Sequence, residues 1–323
     1  MDEMESRVNY YLNNLKSQEH VDVIFKDIQT SNSRFPSDTI KAITLMDINN
    51  LCYRQRDNFL AYGNDFVNIM RKDKLWFQKY LHTKVLFKWG DAHHDHENKD
   101  AYHLAKTRLI DSINGVILPL DYNYHWSPVN TVKDNDIPFD NKKNILLWRG
   151  TTTGAHLYEQ KRLNAVEKMF NNTLCDVGFA SVCQGQNPVH LLKNKMKQSE
   201  MLQYKYLLAL EGNDVASSLK WQLYSNSVVF MKKPTVISWA MEDTLKPFVH
   251  YVPLKDDFSD FEEKIVWANN NQDKCKEISR ESTLFIEQFM NPVKEDLIKT
   301  TVLKKYLEKM NIQSSLQFSD KTN

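Results

Sequence analysis

A chain of 323 residues with 41% hydrophobic and 26% charged content has the composition of a folded globular protein of one large or two medium domains, which excludes a disordered chain. Its 42 basic residues nearly cancel its 41 acidic ones, so no global field marks a nucleic-acid partner, and no apolar run approaches the roughly 20 residues that cross a bilayer. The start, MDEMESRVNYYLNNLKSQEH, is acidic and then amphipathic. Lacking the basic start and apolar core of a secretory signal, it predicts a cytoplasmic protein, with any membrane contact peripheral. Cys52, Cys175, Cys183 and Cys275 stand apart without CxxC spacing, which reads as reduced packing thiols and neither a disulfide framework nor a zinc site.

The first third reads as helices joined by short turns, with DNFLAYGNDFVNIMRKDKLWFQKYL as the clearest long one. Short apolar runs follow that read as buried strands: KVLFKW at 84–89, GVILPL at 115–120, NILLWRG at 144–150, YLLALEG at 206–212, SVVFM at 227–231 and HYVPL at 250–254. Strands alternating with helices predict α/β architecture with parallel sheets, whose ligands bind at the carboxyl ends of the strands. Polar residues stand at those ends: Gly90-Asp91, Asp121, Arg149-Gly150-Thr151 and Glu211-Gly212-Asn213-Asp214. The turn-rich stretch SPVNTVKDNDIPFDNKKN at 127–144 reads as a linker, with the boundary near residue 135.

A strand that delivers Arg149 into Gly150, Thr151 and the turn at Thr153 offers a guanidinium fork, close backbone N–H groups and hydroxyls to phosphate oxygens. The alternative is an arginine paired with a carboxylate beside an ordinary turn. Tyr204 to Pro234 reads as one complete βαβ unit with a Gly212-Asn213 turn, and a helix beginning near Val215 would aim its N-terminus, Ser217, Ser218 and Lys220 at a diphosphate. Arg162 reads equally as a phosphate ligand or as a solvated helix residue. Glu242 is placed to accept hydrogen bonds from ribose hydroxyls.

Three blocks, WRGTTTG at 148–154, YKYLLALEGNDVASSLKWQLYSNSVVF at 204–230 and LKPFVHYVPLKDDFSD at 245–260, resemble in order glycosyltransferase family 90. That family includes fungal capsule-associated proteins, animal protein O-glucosyltransferases and bacterial lipopolysaccharide glycosyltransferases. The likeness runs over roughly residues 84–290. It implies a GT-B fold of two Rossmann-like domains facing across a cleft, a UDP-sugar donor, inversion at the anomeric carbon and no obligatory metal or other cofactor. Domains of 1–135 on the acceptor side and 136–290 on the nucleotide-sugar side follow, with a terminal helix at 291–323 packing back on the first. Relatives usually carry an arginine where this chain has Ser218.

Two segments invite a metal, DND at 134–136 and GDAHHDHE at 90–97. The first precedes a strand and lies in the linker, and His93, His94 and His96 lack the spacing of a zinc helix, so both read as loops. Asp91 stands apart, because inversion needs a base for the acceptor hydroxyl and the resemblance places an aspartate after the equivalent strand. A turn aspartate that caps a helix is the alternative, and Asp121 the reserve base. The compartment selects a lipopolysaccharide outer-core acceptor, with a capsule or other glycan, or a non-catalytic sugar-nucleotide or glycan-binding protein, as the competing readings.

Overall fold

The computed structural model describes residues 2–13, 15, 41–45, 59–82, 84–88, 91, 102–120, 122–154 and 161–309. Gly90, the histidine-rich segment after Asp91, Asp121 and Cys52 lie outside them. The chain divides into two compact units, one of residues 1–123 with 291–323 and one of residues 124–290.

In the first unit, strands β1 (Lys41–Thr44), β2 (Lys84–Lys88), β3 (His103–Ala105) and β5 (Gly115–Ile117) form a sheet in the order β1-β2-β3-β5, and a two-residue strand, β4 (Arg108–Leu109), precedes β5. β1 runs antiparallel to β2, while β2, β3 and β5 are parallel. The helix Glu3–Leu12 buries Arg7, Val8, Tyr11 and Leu12, an i, i+1, i+4, i+5 stripe that makes one face of a helix. The helix Pro292–Lys309 buries Ile298, Val302, Leu303 and Tyr306 on a similar stripe, and the two pack together. Phe66 of the Phe59–Lys72 helix meets Phe87 of β2 edge to face at 5.7 Å.

The second unit is a five-stranded sheet of β6 (Lys143–Thr151), β7 (Cys175–Ser181), β8 (Tyr204–Leu208), β9 (Val228–Met231) and β11 (Val252–Pro253), with β10 (Val236–Ile237) outside it. The order is β11-β9-β8-β6-β7 and every pair is parallel. Such a sheet is covered on both faces, so its strands run apolar without alternation; all five residues of β8 and all four of β9 are buried. Trp148, Tyr206, Phe230 and Val252 pack in one core with Val166, Met169, Ile265 and Ile278 from the helices Lys161–Met169, Phe261–Asn270 and Gln272–Glu287.

Three sequence expectations are corrected. The stretch 127–144 is no linker: it lies within the second unit and holds the end of the helix Tyr122–Asn130, the turn Val132–Asn135 and the 3-10 turn Phe139–Asn141. The reason is Asp136, which binds the buried Lys142 ammonium and accepts the Asn226 backbone N–H at 2.6 Å, so the segment is tied to the sheet it precedes. The division of the chain therefore falls at 123/124 and not near 135. The helix after the Gly212 turn starts at Leu219, not near Val215, and runs only to Leu223.

The last helix, Pro292–Lys309, begins with a cap. Asn291 Oδ1 accepts the N–H groups of Val293 and Lys294, both at 3.1 Å, and proline occupies the first helical position, where its missing N–H costs nothing.

Candidate functional site

In the second unit the turns after β6 and β8 meet, because β6 and β8 are parallel neighbours that end on the same side. Gly154 has φ +86°, and a Cβ on it would lie 3.0 Å from the Gly212 backbone carbon; one on Gly212 would come within 2.6 Å of Thr153 Oγ1 and 2.9 Å of the Arg162 guanidinium. Only glycine permits both the left-handed backbone and this approach. Thr152 locks the first turn from below: its hydroxyl donates to the Cys183 carbonyl at 2.8 Å and accepts the Cys183 N–H at 2.7 Å. The Gly154 N–H donates to Gln184 Oε1 at 2.9 Å.

Arg162, at the start of the Lys161–Met169 helix, is the residue that this junction encloses. Its Nη1 donates to the Thr151 carbonyl at 3.1 Å and to Thr153 Oγ1, its Nη2 donates to the Leu210 carbonyl at 3.0 Å, and its guanidinium stands 5.8 Å from the Trp148 ring centroid. No carboxylate among the described residues forms an ion pair with it, and its Nε is buried with no acceptor. Burial pushes the guanidinium down to about 10, against weaker opposing effects of Cys183 and Glu211. A cation held by neutral oxygens in a desolvated place is an unbalanced charge, and an anion supplied from outside would balance it. Asn213, next in the chain after Gly212, likewise has its Oδ1 buried with no donor among the described residues.

The other predicted residues take different places. Arg149 is the carboxylate-paired arginine of the alternative reading: Nη2 donates to Asp176 Oδ1 at 2.7 Å, Nη1 to the Asp176 and Trp148 carbonyls at 2.7 and 2.9 Å, and Nε to the Asn194 carbonyl at 3.1 Å. Asp176 also accepts from Lys193 at 2.9 Å and is held below the usual carboxylate range by Lys193 and Arg149 despite its burial. Gly150 makes room for an aromatic ring, since a Cβ there would stand 2.4 Å from Trp148. Thr151 and Thr153 face Arg162 as described. Ser217 is exposed and Ser218 half-buried, outside the five-residue helix Leu219–Leu223.

Lys220 and Glu242 pair with each other. Lys220 Nζ donates to Glu242 Oε1 at 2.7 Å with both side chains almost wholly buried, and Glu242 also accepts the Ser238 N–H at 2.7 Å and hydroxyl at 2.6 Å. Burial would raise the Glu242 carboxyl, but Lys220 and Ser238 more than offset it and hold it low. Such a pair is a structural tie, so the ribose and phosphate roles expected of these two residues find no support here.

Sequence reasoning missed Thr152, Gly154, Cys183 and Gln184 as builders of the junction, and named Glu211 only as a polar residue at a strand end. Glu211 clamps the β9–β10 connection, accepting from the Thr235 N–H at 2.8 Å and hydroxyl at 2.5 Å. Gly154 was legible inside WRGTTTG; the Cys183-Gln184 loop carries no motif.

In the first unit Asp91 and Lys106 follow the adjacent parallel strands β2 and β3, and Lys106 Nζ donates to Asp91 Oδ1 at 3.0 Å. The Asp91 side chain keeps 33% exposure against 8% for Lys106, so the carboxylate has an open side and a fixed one.

A parallel sheet whose strand ends bring two glycine turns together beside Arg162 makes this an α/β protein. The family model of glycosyl transferase family 90 matches residues 125–317, and this chain belongs to that family. It is 36% identical over 200 residues to the O-glucosyltransferase LpsA of Dichelobacter nodosus, a match that takes in 62% of this chain and 59% of that protein. It is 29% identical over 112 residues to the human Protein O-glucosyltransferase 3 (35% of this chain, 22% of that one) and 35% identical over 98 residues to protein 179R of Invertebrate iridescent virus 6 (28% and 8%). The chain thus spans less than two thirds of the length of these relatives.

Proposed function

We propose that this protein is a metal-independent, inverting hexosyltransferase of GT-B type that uses a UDP-sugar, its two α/β units being the two Rossmann-like halves. The observation that carries the reading is Arg162, a desolvated cation held by oxygens of Thr151, Thr153 and Leu210 beside Gly212, in no ion pair with a described carboxylate. A donor diphosphate supplies the missing charge, and as the sugar departs the growing negative charge on the leaving phosphate is met by a group already in place. Asp91 serves as the base that takes the acceptor hydroxyl proton, with Lys106 fixing its carboxylate. The names of the relatives point to glucose as the sugar, and the resemblance to bacterial members points to a lipopolysaccharide core acceptor. A cytoplasmic place, peripheral at the inner membrane, belongs to this reading; no helix among the described residues is long and apolar enough to cross a membrane.

A panel of UDP-glucose, UDP-galactose, UDP-xylose and UDP-N-acetylglucosamine, assayed for hydrolysis and for transfer to core oligosaccharide with and without EDTA, tests it. The expected result is turnover of one UDP-hexose that survives chelation. Binding of UDP without turnover of any donor would support a sugar-nucleotide-binding protein instead, and loss of turnover on chelation restored by manganese would overturn the metal-independent mechanism.

A further inference from the structure

Residues 71–82 of the first unit leave the Phe59–Lys72 helix, form the short helix Lys74–Gln78 and lead into β2. They hold four basic residues, Arg71, Lys72, Lys74 and Lys79, against one acid, Asp73, in a chain whose formal net charge is +1. All four are exposed. The short helix buries Phe77 alone. Leu75, two positions earlier, is 80% exposed, the most open large apolar side chain among the described residues.

Two ties lay this segment along the helix Pro292–Lys309. Lys72 pairs with Asp296 at 2.7 Å, and Lys304 Nζ donates to Asp73 and stands 5.1 Å from the Trp76 ring centroid. Leu297, next after Asp296, is 52% exposed, and Val293, one turn before it on the same face, is 77% exposed. Trp76 and Tyr80 are half-buried, with ring centroids 4.6 Å apart. A single exposed apolar residue needs no explanation. Here outward-facing apolar side chains and two amphipathic rings share one face, and cations surround them. Over residues 71–82 and the residues of 296–309 that are not buried, seven basic side chains meet three acidic ones.

We infer that this face of the first unit docks on an anionic phospholipid surface. Leu75, Leu297 and Val293 enter the headgroup layer, Trp76 and Tyr80 lie at its boundary, and the lysines and Arg71 reach lipid phosphates on long apolar stems. A protein partner fits less well, because lysine is depleted where proteins meet. The segment leads into the start of β2 while Asp91 follows its end, about 17 Å of strand away, so docking here leaves Asp91 clear of the lipid. The inference deepens the peripheral membrane place proposed above and does not depend on the sugar donor.

Flotation of the full chain with vesicles of phosphatidylcholine, with and without phosphatidylglycerol, at low and high salt, tests it. The parent is expected to float with the phosphatidylglycerol vesicles alone, and less as salt rises. A basic side chain near such a surface strengthens binding about fivefold, so Lys74→Gln with Lys79→Gln should weaken it about 25-fold. Leu75→Ser should weaken it about tenfold. Leu284→Ser, a 50% exposed leucine on the helix Gln272–Glu287 of the second unit, should change nothing. UDP affinity and melting temperature should hold in all three variants, which keeps the donor reading a separate question. Vesicle binding that the Lys74, Lys79 and Leu75 variants leave unchanged would overturn this face, and a parent that binds neither vesicle would overturn the membrane place with it. A parent that is dimeric in solution and that Leu75→Ser makes monomeric would give the face to a second copy of the chain instead.

Discussion

Arg149 and Arg162 stand 13 residues apart and show how surroundings decide what a side chain is free to do. Arg149 is held by a carboxylate and three carbonyls, whereas Arg162 is desolvated among neutral oxygens. From the sequence the two are hard to tell apart, because the partner of Arg149 is Asp176, 27 residues downstream on the next strand, and nothing local announces it. The threonine-glycine turn reads in the sequence as a candidate phosphate cradle; that Arg162 and not Arg149 stands in it was not legible. Asp91 stands out in the sequence as a candidate because it follows an apolar strand, while its partner Lys106 came into view only when β2 and β3 paired. Replacing Asp91 by Asn keeps the shape and removes the basicity. Transfer should fall about 10²–10⁴-fold while UDP affinity and melting temperature stay near the parent values. Turnover close to the parent would remove Asp91 from the mechanism.

Among the elements, the apolar runs marked β2, β5, β6, β8, β9 and β11, since strands buried on both faces leave continuous hydrophobic stretches. β7 escaped because CDVGFAS interrupts its apolar residues with Asp176 and Gly178, the first to bind Arg149 and the second to admit the Lys193 side chain, which a Cβ would meet at 2.7 Å. The Leu219–Leu223 helix was placed a turn too early, and its Lys220 was assigned to a ligand although it serves Glu242. Lys220→Met should therefore destabilise the second unit by about 3–5 kcal/mol, because it leaves a buried carboxylate without its cation. A carboxyl held low when folded adds stability that is complete above its unfolded value near ~4.3 and is lost as pH falls below it. The gap in denaturant stability between parent and variant should thus narrow from pH 6 toward pH 3. A gap that does not change over that range would mean that Glu242 is not charged in the fold.

On the scale of the whole molecule, the chain leaves its first unit at residue 123 and returns to it at 291. The return is fastened by Arg7, which is pinned to Glu295 through bonds of 2.6 and 2.8 Å and to the Tyr11 hydroxyl at 2.9 Å, all buried. Here the sequence marks a terminal helix from 291 and an amphipathic amino terminus, but no local pattern joins residues 288 apart. Arg7→Met strands Glu295 in the core, at a cost of about 3–5 kcal/mol. Amide exchange in 3–12 and 292–309 should quicken together, with exchange in 204–231 near the parent rate; protection unchanged in both helices would show that the pair does not hold the return segment.

The central claim is that the charge which Arg162 lacks is the diphosphate of the donor. Titration calorimetry of UDP into the parent and into Arg162→Ala, with folding monitored by melting temperature, tests it most directly. A charge-assisted contact of this kind contributes about 1.5–3 kcal/mol, so the variant should bind UDP roughly 10–100-fold more weakly and lose inorganic pyrophosphate by a similar factor while uridine binding holds. A folded Arg162→Ala protein that binds UDP and pyrophosphate as tightly as the parent would contradict the account.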